Sequence, residues 1–488
     1  MKNNKEVVII GGGLGGIATA IFLSQRNFKI TIIEKNENIG GKMNFFTKNG
    51  YSFDTGPSLI TIPYIFENMF SKVGEKMSDH LDLIKINPLF KYIFSNSDLI
   101  YDSNFSLIEK NVNNKNYKEL DNFYDFMTKA SKLYNLSENT FFKNEIFSAP
   151  STKDLKTLLQ SPFNLFFKKY SDLVNKTFKD HRLRKIFLRY PTYVGASPYK
   201  SQSILSIIPF MELSFGGWYT RGGLYKIIES LEKILISNGV KIILNKKVSS
   251  INIKNKKIES VVLEQEENIS ADIVVSNVDP IITKTMLDKN FRLSEKNLSM
   301  SGLVFLVGVE KKIDKLHHHN VIFSDDYENE FREIFEKNIF PSDPTIYINC
   351  PTKTDKSLAP EQCESVFIMC NAPANKRIWG ESEIKEAFNK VYAKLKSKNL
   401  SDIIDKSNFI KTITPNDLEK KFAAPFGSIY GKVSHGISGT VFRQPNKDRK
   451  INGLYYVGGG VHPGGGTPTV IMSGEIAANR IIRDYAKD

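Results

Sequence analysis

VVIIGGGLGGIATAIFLSQRNFKITIIEK (Val7–Lys35) and, at the other end of the chain, GLYYVGGGVHPGGGTPTVIMSGEIAANRII (Gly453–Ile482) each set an apolar strand, a glycine run and a helix in the same order. In the first, Val7–Ile10 is a short continuous apolar run suited to a strand buried on both faces. Gly11-Gly12-Gly13-Leu14-Gly15-Gly16 then satisfies G-x-G-x-x-G ahead of a helix predicted over Ile17–Gln25. Gly11 allows the tight turn and Gly13 lets backbone approach a pyrophosphate. Gly16 lets helix and strand pack closely, and Gly15 completes the cradle.

A second strand, Lys29–Ile33, ends at Glu34 and Lys35, at the spacing where an acidic side chain accepts ribose hydroxyls. An acid there disfavours a 2′-phosphate, which selects FAD or NAD over NADP. Gly40-Gly41-Lys42 follows directly, placing a flexible cation beside a glycine pair, and YSFDTGPSLI (Tyr51–Ile60) with Gly56 comes next. At the C-terminal site Gly458 and Gly459 end a strand, and Gly464-Gly465-Gly466 opens a helix at about Pro468. The amides of such a helix N-terminus stabilise negative charge on a reduced flavin, which makes Thr467, Thr469 and Val470 the expected flavin neighbours. Two chain ends clasping one cofactor point to FAD.

The chain has 488 residues, 41% hydrophobic and 25% charged, ample for a large globular core and unlike a disordered chain. Cys350, Cys363 and Cys370 have neither zinc-site spacing nor the pairing of a disulfide framework, so reduced thiols in the cytoplasm are expected. His317-His318-His319 reads as a solvated run in a Lys- and Asn-rich loop, and no metal site is expected. The first apolar run breaks at glycine after four residues, which is unlike a signal peptide, and no run approaches a membrane span. The net charge is +14. Phe163, Phe166, Phe167, Tyr170, Leu173 and Val174 recur at helical spacing opposite Lys168, Lys169, Lys176 and Lys179, with HRLRKIFLRY (His181–Tyr190) adding cations. That pattern suits a core helix with a solvated basic face, or a monotopic surface on anionic lipid. A nucleic-acid partner is not expected, because no binding motif accompanies the charge.

About residues 70 to 215 pattern mostly as helix, interrupted at Pro150, Pro162 and Pro191. A helix is predicted over Leu224–Ser237, then strands at Lys241–Leu244, Val248–Ile253, Lys257–Leu263 and Ile273–Val275. Leu303–Val309 and Val366–Cys370 read as strands of a further mixed sheet. The expected class is α/β. A Rossmann-like FAD-binding domain is assembled from 1–70, 220–285 and 450–488. A helical, membrane-associating region covers 71–219, and a mixed-sheet substrate domain covers 286–449.

FDTGPSLITIP, FKDHRLRKIFLRYPTYVGASP, GGWYTRGG and YYVGGGVHPGGGTPTVIMSG together resemble the bacterial-type phytoene desaturase family of FAD-dependent carotenoid desaturases, along essentially the whole chain. Amine oxidases share the N-terminal half of the pattern. The resemblance implies a peripheral flavoprotein on the cytoplasmic face of a membrane that takes up an acyclic polyene: phytoene, neurosporene, a hydroxylated carotenoid or a C30 analogue. It implies hydride transfer to flavin N5 followed by proton loss, with quinone or oxygen as terminal acceptor. It also implies that Val248 backbone contacts the adenine and that Lys42 sits near the phosphates. Lys42 stands where Arg is common, and Gly459 where many flavoproteins have an acid for the ribityl hydroxyls. The same scaffold serves carotenoid isomerases, terminal carotenoid oxidases and retinol-saturase-like enzymes, and prenyl-lipid carriers of the GDP dissociation inhibitor type share it without redox chemistry.

The chemistry asks mainly for orientation and exclusion of water. Candidate polar participants are His462 as general base, Arg221 beside the flavin or its phosphates, Glu212 as a buried carboxylate in PFMELSF, and Lys432 and His435 of GKVSHG lining the site.

Overall fold

The computed structural model describes residues 5–95, 97–102, 117–145 and 168–485. At its centre five strands form a parallel sheet in the order Leu454–Tyr456, Ile273–Ser276, Lys5–Ile10, Phe28–Ile33, Lys241–Ile243. Val7, Val8, Ile9 and Ile10 are all buried, as a strand covered on both faces requires. The first helix runs Leu14–Ser24, three residues earlier than the sequence pattern suggests, because Gly15 and Gly16 lie inside it. There they permit close approach. A Cβ on Gly474, in the last helix Thr467–Tyr485, would lie 2.7 Å from the Gly15 carbonyl oxygen and 2.8 Å from Ala18 Cβ, so the two helices meet at glycine.

Helix Tyr225–Ser237 buries Ile227, Ile228, Leu231, Ile234 and Leu235 on one face, at the spacing of a 3.6-residue repeat. Each such side chain contributes about 1.5–3 kcal/mol on full burial. The start of this helix rests on Asp54 of the FDTGP segment. Its carboxylate accepts from the Leu224 N–H at 2.8 Å and from the Tyr219 hydroxyl at 2.6 Å. Burial pushes the Asp54 carboxyl up to about 6, against those hydrogen bonds. The group therefore holds its proton more tightly folded than unfolded. Its stabilisation is fully present below the ordinary value of 3.8 and is lost as pH rises through about 6. The gap corresponds to about 3 kcal/mol at most. Asp54→Asn is expected to flatten the dependence of Tm on pH between these two values, and an unchanged slope would show that Asp54 does not titrate in that window.

Val248–Lys254, Lys257–Leu263 and Asn268–Ser270 make a small antiparallel sheet beside the parallel one. A seven-stranded mixed sheet runs in the order Ser407–Ile413, Ser301–Val309, Glu364–Ala372, Ile346–Asn349, His319–Ile322, Phe90–Ile93, Asp98–Tyr101. Ser301–Val309 is buried along its whole length between two antiparallel partners. The α/β class holds, with a correction to the helical segment. Residues 83–101 supply three strands, two of them in the large sheet. Phe90 and Tyr92 alternate with the half-exposed Lys91, a period of two masked by the surrounding Asn- and Lys-rich composition.

The histidine run is also corrected. His318 and His319 are 3% and 0% exposed, because His319 opens a buried strand instead of a loop. His319 Nδ1 lies 3.0 Å from the Leu89 carbonyl, and its ring stacks on Phe90 with centroids 4.8 Å apart. Burial pushes its pKa down to about 3. Among the described residues no group of three His, Cys, Asp or Glu side chains is arranged to hold a metal ion.

Of the basic amphipathic pattern, Phe163, Phe166 and Phe167, with Pro150 and Pro162, lie outside the described residues. In the helix Tyr170–Thr177, Tyr170 and Val174 are fully buried in the main core, while Lys176 in the helix and Lys168, Lys169 and Lys179 flanking it are exposed. This is the core helix with a basic outer face. No helix of the described residues is long and apolar enough to cross a membrane.

Candidate active site

Four parallel strands end at one edge, and the residue just past each faces the same place: Gly11 after Ile10, Glu34 after Ile33, Asn277 after Ser276, and Gly458 shortly after Tyr456. Ligands of open α/β sheets bind outside such carboxyl ends. Asn277 Nδ2 donates to the Gly11 carbonyl at 3.2 Å. A Cβ on Gly13 would meet that Nδ2 at 2.6 Å. On Gly15 it would meet Asn277 Oδ1 at 2.7 Å and the Gly458 nitrogen at 3.0 Å, and on Gly41 the Gly13 Cα at 3.0 Å. Three distant stretches of backbone thus converge on a cradle that only glycine fits. The helix starting there has no side-chain cap and no acid in its first turn, leaving its amide end suited to a pyrophosphate.

Glu34 is 5% exposed. Its Oε2 accepts from the Gly12 N–H at 2.8 Å, and its Oε1 accepts from the Asn36 N–H at 2.9 Å and Nδ2 at 2.7 Å. Its remaining lone pairs suit ribose hydroxyls. The Lys246 N–H bonds to the Glu34 carbonyl at 3.0 Å, which brings the start of the Val248 strand beside the same edge. Lys35 turns outward instead, its ammonium donating to the Lys420 carbonyl at 2.6 Å.

Gly56 abuts the glycine pair. A Cβ there would lie 1.7 Å from the Lys42 carbonyl oxygen. Lys42 Nζ bonds to the Ile429 carbonyl. Its side chain keeps accessible surface. Burial lowers its pKa, opposed by the Asp279 carboxylate. Asp279 also feels Arg443, and burial pushes its own pKa up. Arg443 donates to the Gly459 carbonyl at 3.0 Å and to Ser434 Oγ, and burial pushes its guanidinium down to about 10. Gly465 lies against the ring of Tyr430, to which a Cβ would come within 2.4 Å. Thr467, Thr469 and Val470 are half-buried at the start of the last helix, with Thr469 Oγ1 donating to the Gly466 carbonyl at 3.0 Å. Cradle, acid and uncapped helix, with the Lys42 cation beside them, together fit FAD.

Asn277, Asp279, Tyr430 and Arg443 escape sequence reasoning, since they sit in loops without periodicity. The one usable signal is Asn277, the first residue past a predicted buried strand.

The candidate proton-transfer groups are not brought together. Arg221 lies at the surface in an ion pair with Asp82 at 2.7 Å, and the adjacent Gly222 N–H is held by Asp355 at 2.6 Å. Lys432 is exposed. His435 Nε2 accepts from the Ser197 N–H at 2.9 Å, and burial pushes its pKa down to about 4. His462 is fully buried with Nε2 2.9 Å from the Asn144 carbonyl, and burial pushes it likewise down to about 4. Each ring is tied to backbone through Nε2. Neither histidine is expected to give an inflection in kcat between pH 5 and 8. A wild-type inflection abolished by His435→Gln or His462→Gln would restore that residue as a base. Glu212 is buried, with Oε1 accepting from Tyr190 and Oε2 from Tyr193, each at 2.8 Å, and burial raises its pKa.

The sequence profile of the family described as flavin containing amine oxidoreductase matches residues 14–482. Among curated proteins, 4,4′-diaponeurosporene oxygenase of Staphylococcus haemolyticus is 32% identical, covering 98% of this chain and 97% of its own. The 1-hydroxycarotenoid 3,4-desaturase of a Flavobacterium is also 32% identical, covering 98% and 99%. Among solved structures, cyclohexylamine oxidase from Brevibacterium oxydans shares the fold at a TM-score of 0.62 and 13% identity, covering 99% of this chain and 100% of its own. With a family match along nearly its whole length and a cradle that fits FAD, the chain belongs to the flavin-containing amine oxidoreductases and is an FAD-dependent oxidoreductase.

Proposed function

We propose that the protein oxidises an acyclic carotenoid at a C–H bond, with desaturation as the reaction. The observation that supports this most is that both histidines beside the glycine loops are tied to backbone through Nε2 and are made weak bases by burial. Chemistry that relies on a strong base at that place finds none, whereas removing hydride from carbon next to a polyene leaves a cation that conjugation itself stabilises and that then loses the proton of the neighbouring carbon to water, an acceptor of no special strength. Bound FAD supplies the two-electron acceptor. Gly11, Gly13, Gly15, Gly16, Gly41, Glu34 and Asn277 would hold its dinucleotide part, with Lys42 near the phosphates and Gly458, Gly459, Thr467, Thr469 and Val470 near the flavin end. The aromatic and aliphatic interior orients the polyene and excludes water, which is most of what the reaction asks of protein. Two relatives bear the alternative names of oxygenase and desaturase, so terminal oxidation is the competing outcome.

The test is an anaerobic liposome assay with the FAD-loaded protein and a panel of acyclic carotenoids, following flavin bleaching and extracted pigment together. Bleaching with red-shifted pigment is the expected result. Pigment bound without bleaching would replace the enzyme reading for carotenoids by that of a carrier, and a product carrying a terminal oxygen would replace desaturation by oxidation. Adding a quinone or oxygen after bleaching identifies the acceptor by recovery of flavin absorbance.

Delivery of so insoluble a substrate argues for a membrane surface, and the exposed lysines of the Tyr170–Thr177 region suit an anionic one. Co-sedimentation with vesicles containing anionic lipid is expected at low salt, weakening as salt rises. Equal binding to neutral vesicles would remove the electrostatic part of this reading.

A further inference from the structure

Arg189 ends the helix His181–Arg189 inside an aromatic enclosure. Its guanidinium carbon lies 4.9 Å from the ring centroids of Phe90 and Tyr193 and 5.5 Å from that of Tyr347. Arg189 keeps accessible surface although the Phe90 and Tyr347 rings beside it are buried, so its free surface opens onto the space next to those rings. Nη1 donates to the Tyr193 hydroxyl at 2.9 Å, that hydroxyl donates to Glu212 Oε2 at 2.8 Å, and Tyr190 donates to Glu212 Oε1 at 2.8 Å. The positive and negative charges therefore balance through a tyrosine, and both carboxylate oxygens are engaged as acceptors. A guanidinium carries five N–H donors; the Tyr193 hydroxyl takes one, the Tyr92 hydroxyl lies within reach of another, and ring faces cover part of the rest.

This space adjoins the cofactor cradle. The Tyr347 hydroxyl is bonded to Ser58 Oγ at 2.5 Å, and Ser58 is two residues from Gly56, which packs on Lys42. Two residues span at most about 7 Å. A purely hydrocarbon occupant of such a space would leave a desolvated guanidinium facing carbon, a costly arrangement. An added carboxylate would leave the balanced cluster with a net negative charge. A neutral acceptor oxygen satisfies both conditions.

We propose that Arg189 receives a carbonyl or hydroxyl oxygen at one end of the polyene, so that the substrate is an end-oxygenated chain in preference to the parent hydrocarbon. This rests on the carotenoid reading above. Tyr193 and Glu212 act as positioning residues that hold the guanidinium plane and neutralise its charge.

The experiment uses the FAD-loaded full chain in detergent and two probes of equal chain length, an acyclic C30 polyene bearing a terminal aldehyde and its hydrocarbon parent. Binding is read from the shift of each polyene's absorption. The wild type is expected to prefer the aldehyde by about tenfold to a hundredfold, the range of a hydrogen bond to a charged group. Arg189→Lys is expected to keep part of that preference. The charge-neutral pair Arg189→Met with Glu212→Gln is expected to bring it to parity, with flavin content as the check that the chain has folded. Wild-type binding of both probes without preference would overturn this inference and leave the carotenoid reading intact. Binding of neither would overturn the carotenoid reading and the inference with it. A preference that persists in the double variant, or a double variant without flavin alongside an Arg189→Lys variant that keeps the full wild-type ratio, would show that Arg189 serves the fold alone.

Discussion

Gly56→Ala is expected to abolish FAD retention and lower Tm sharply. The added methyl would sit 1.7 Å from the Lys42 carbonyl oxygen and 2.8 Å from its carbon, and both are backbone atoms that cannot step aside as a side chain can. Relief requires moving either the Gly40-Gly41-Lys42 turn or the hairpin Phe45–Lys48 with Tyr51–Asp54, whose pairing places Gly56. The first shift displaces Gly41 from Gly13; the second displaces Asp54 from the helix it supports. A cost of about 3 kcal/mol or more is in keeping with overpacking against fixed backbone. Gly302→Ala provides the contrast. Its methyl would meet only the Met369 and Ile429 side chains at 3.4–3.6 Å, so little change is expected. Flavin absorbance of the purified proteins and thermal melts decide the matter, and a Gly56→Ala protein with full flavin and unchanged Tm would mean that the turn and hairpin are not in contact.

Glu34→Ala is expected to weaken FAD binding by about a hundredfold or more, as measured by quenching of flavin fluorescence on titrating apoprotein. The carboxylate has two tasks. It offers lone pairs to a ribose, and it ties Gly12 and Asn36 together with three hydrogen bonds of 2.7–2.9 Å. Removing it leaves buried N–H groups without an acceptor, at about 1–3 kcal/mol each, in the turn that shapes the cradle. Glu34→Gln keeps an acceptor and is expected to fall between. Equal affinity across all three proteins would move the ribose elsewhere.

The parts of this molecule legible in its sequence are those with a repeating physical constraint. Val7–Ile10, Ile273–Val275 and Lys257–Leu263 announce themselves by continuous or alternating apolar residues, and the glycines of both chain ends by their spacing. The cradle followed from these, because strand ends and helix starts fix where a dinucleotide lies. Asp279, Tyr430 and Arg443 were not legible, and Asn277 only by its place just past a buried strand. Their roles depend on loops brought together by tertiary packing, and a single polar residue in a loop carries no period. The histidine run misled for the opposite reason. Its neighbours look solvated, but Val321 and Ile322 continue the strand into a buried sheet. Arg221 misled because a glycine pair beside an arginine imitates a phosphate loop, whereas Asp82 claims the guanidinium.

The meeting of Gly15 with Gly474 and Gly458 has a consequence for biogenesis. During synthesis the N-terminal strand and helix emerge early, and the strand gains its neighbours with Phe28–Ile33 and Ile273–Ser276, but the last strand of the sheet and the helix that packs on Gly15 are made more than four hundred positions later. Until then the nascent chain exposes an unpaired strand edge and a glycine-lined groove, the kind of surface that chaperones shield. Contacts of such long range also slow closure, since the loop entropy must be met before they form. Completion of the cradle is thus a late event, since it waits for Gly458.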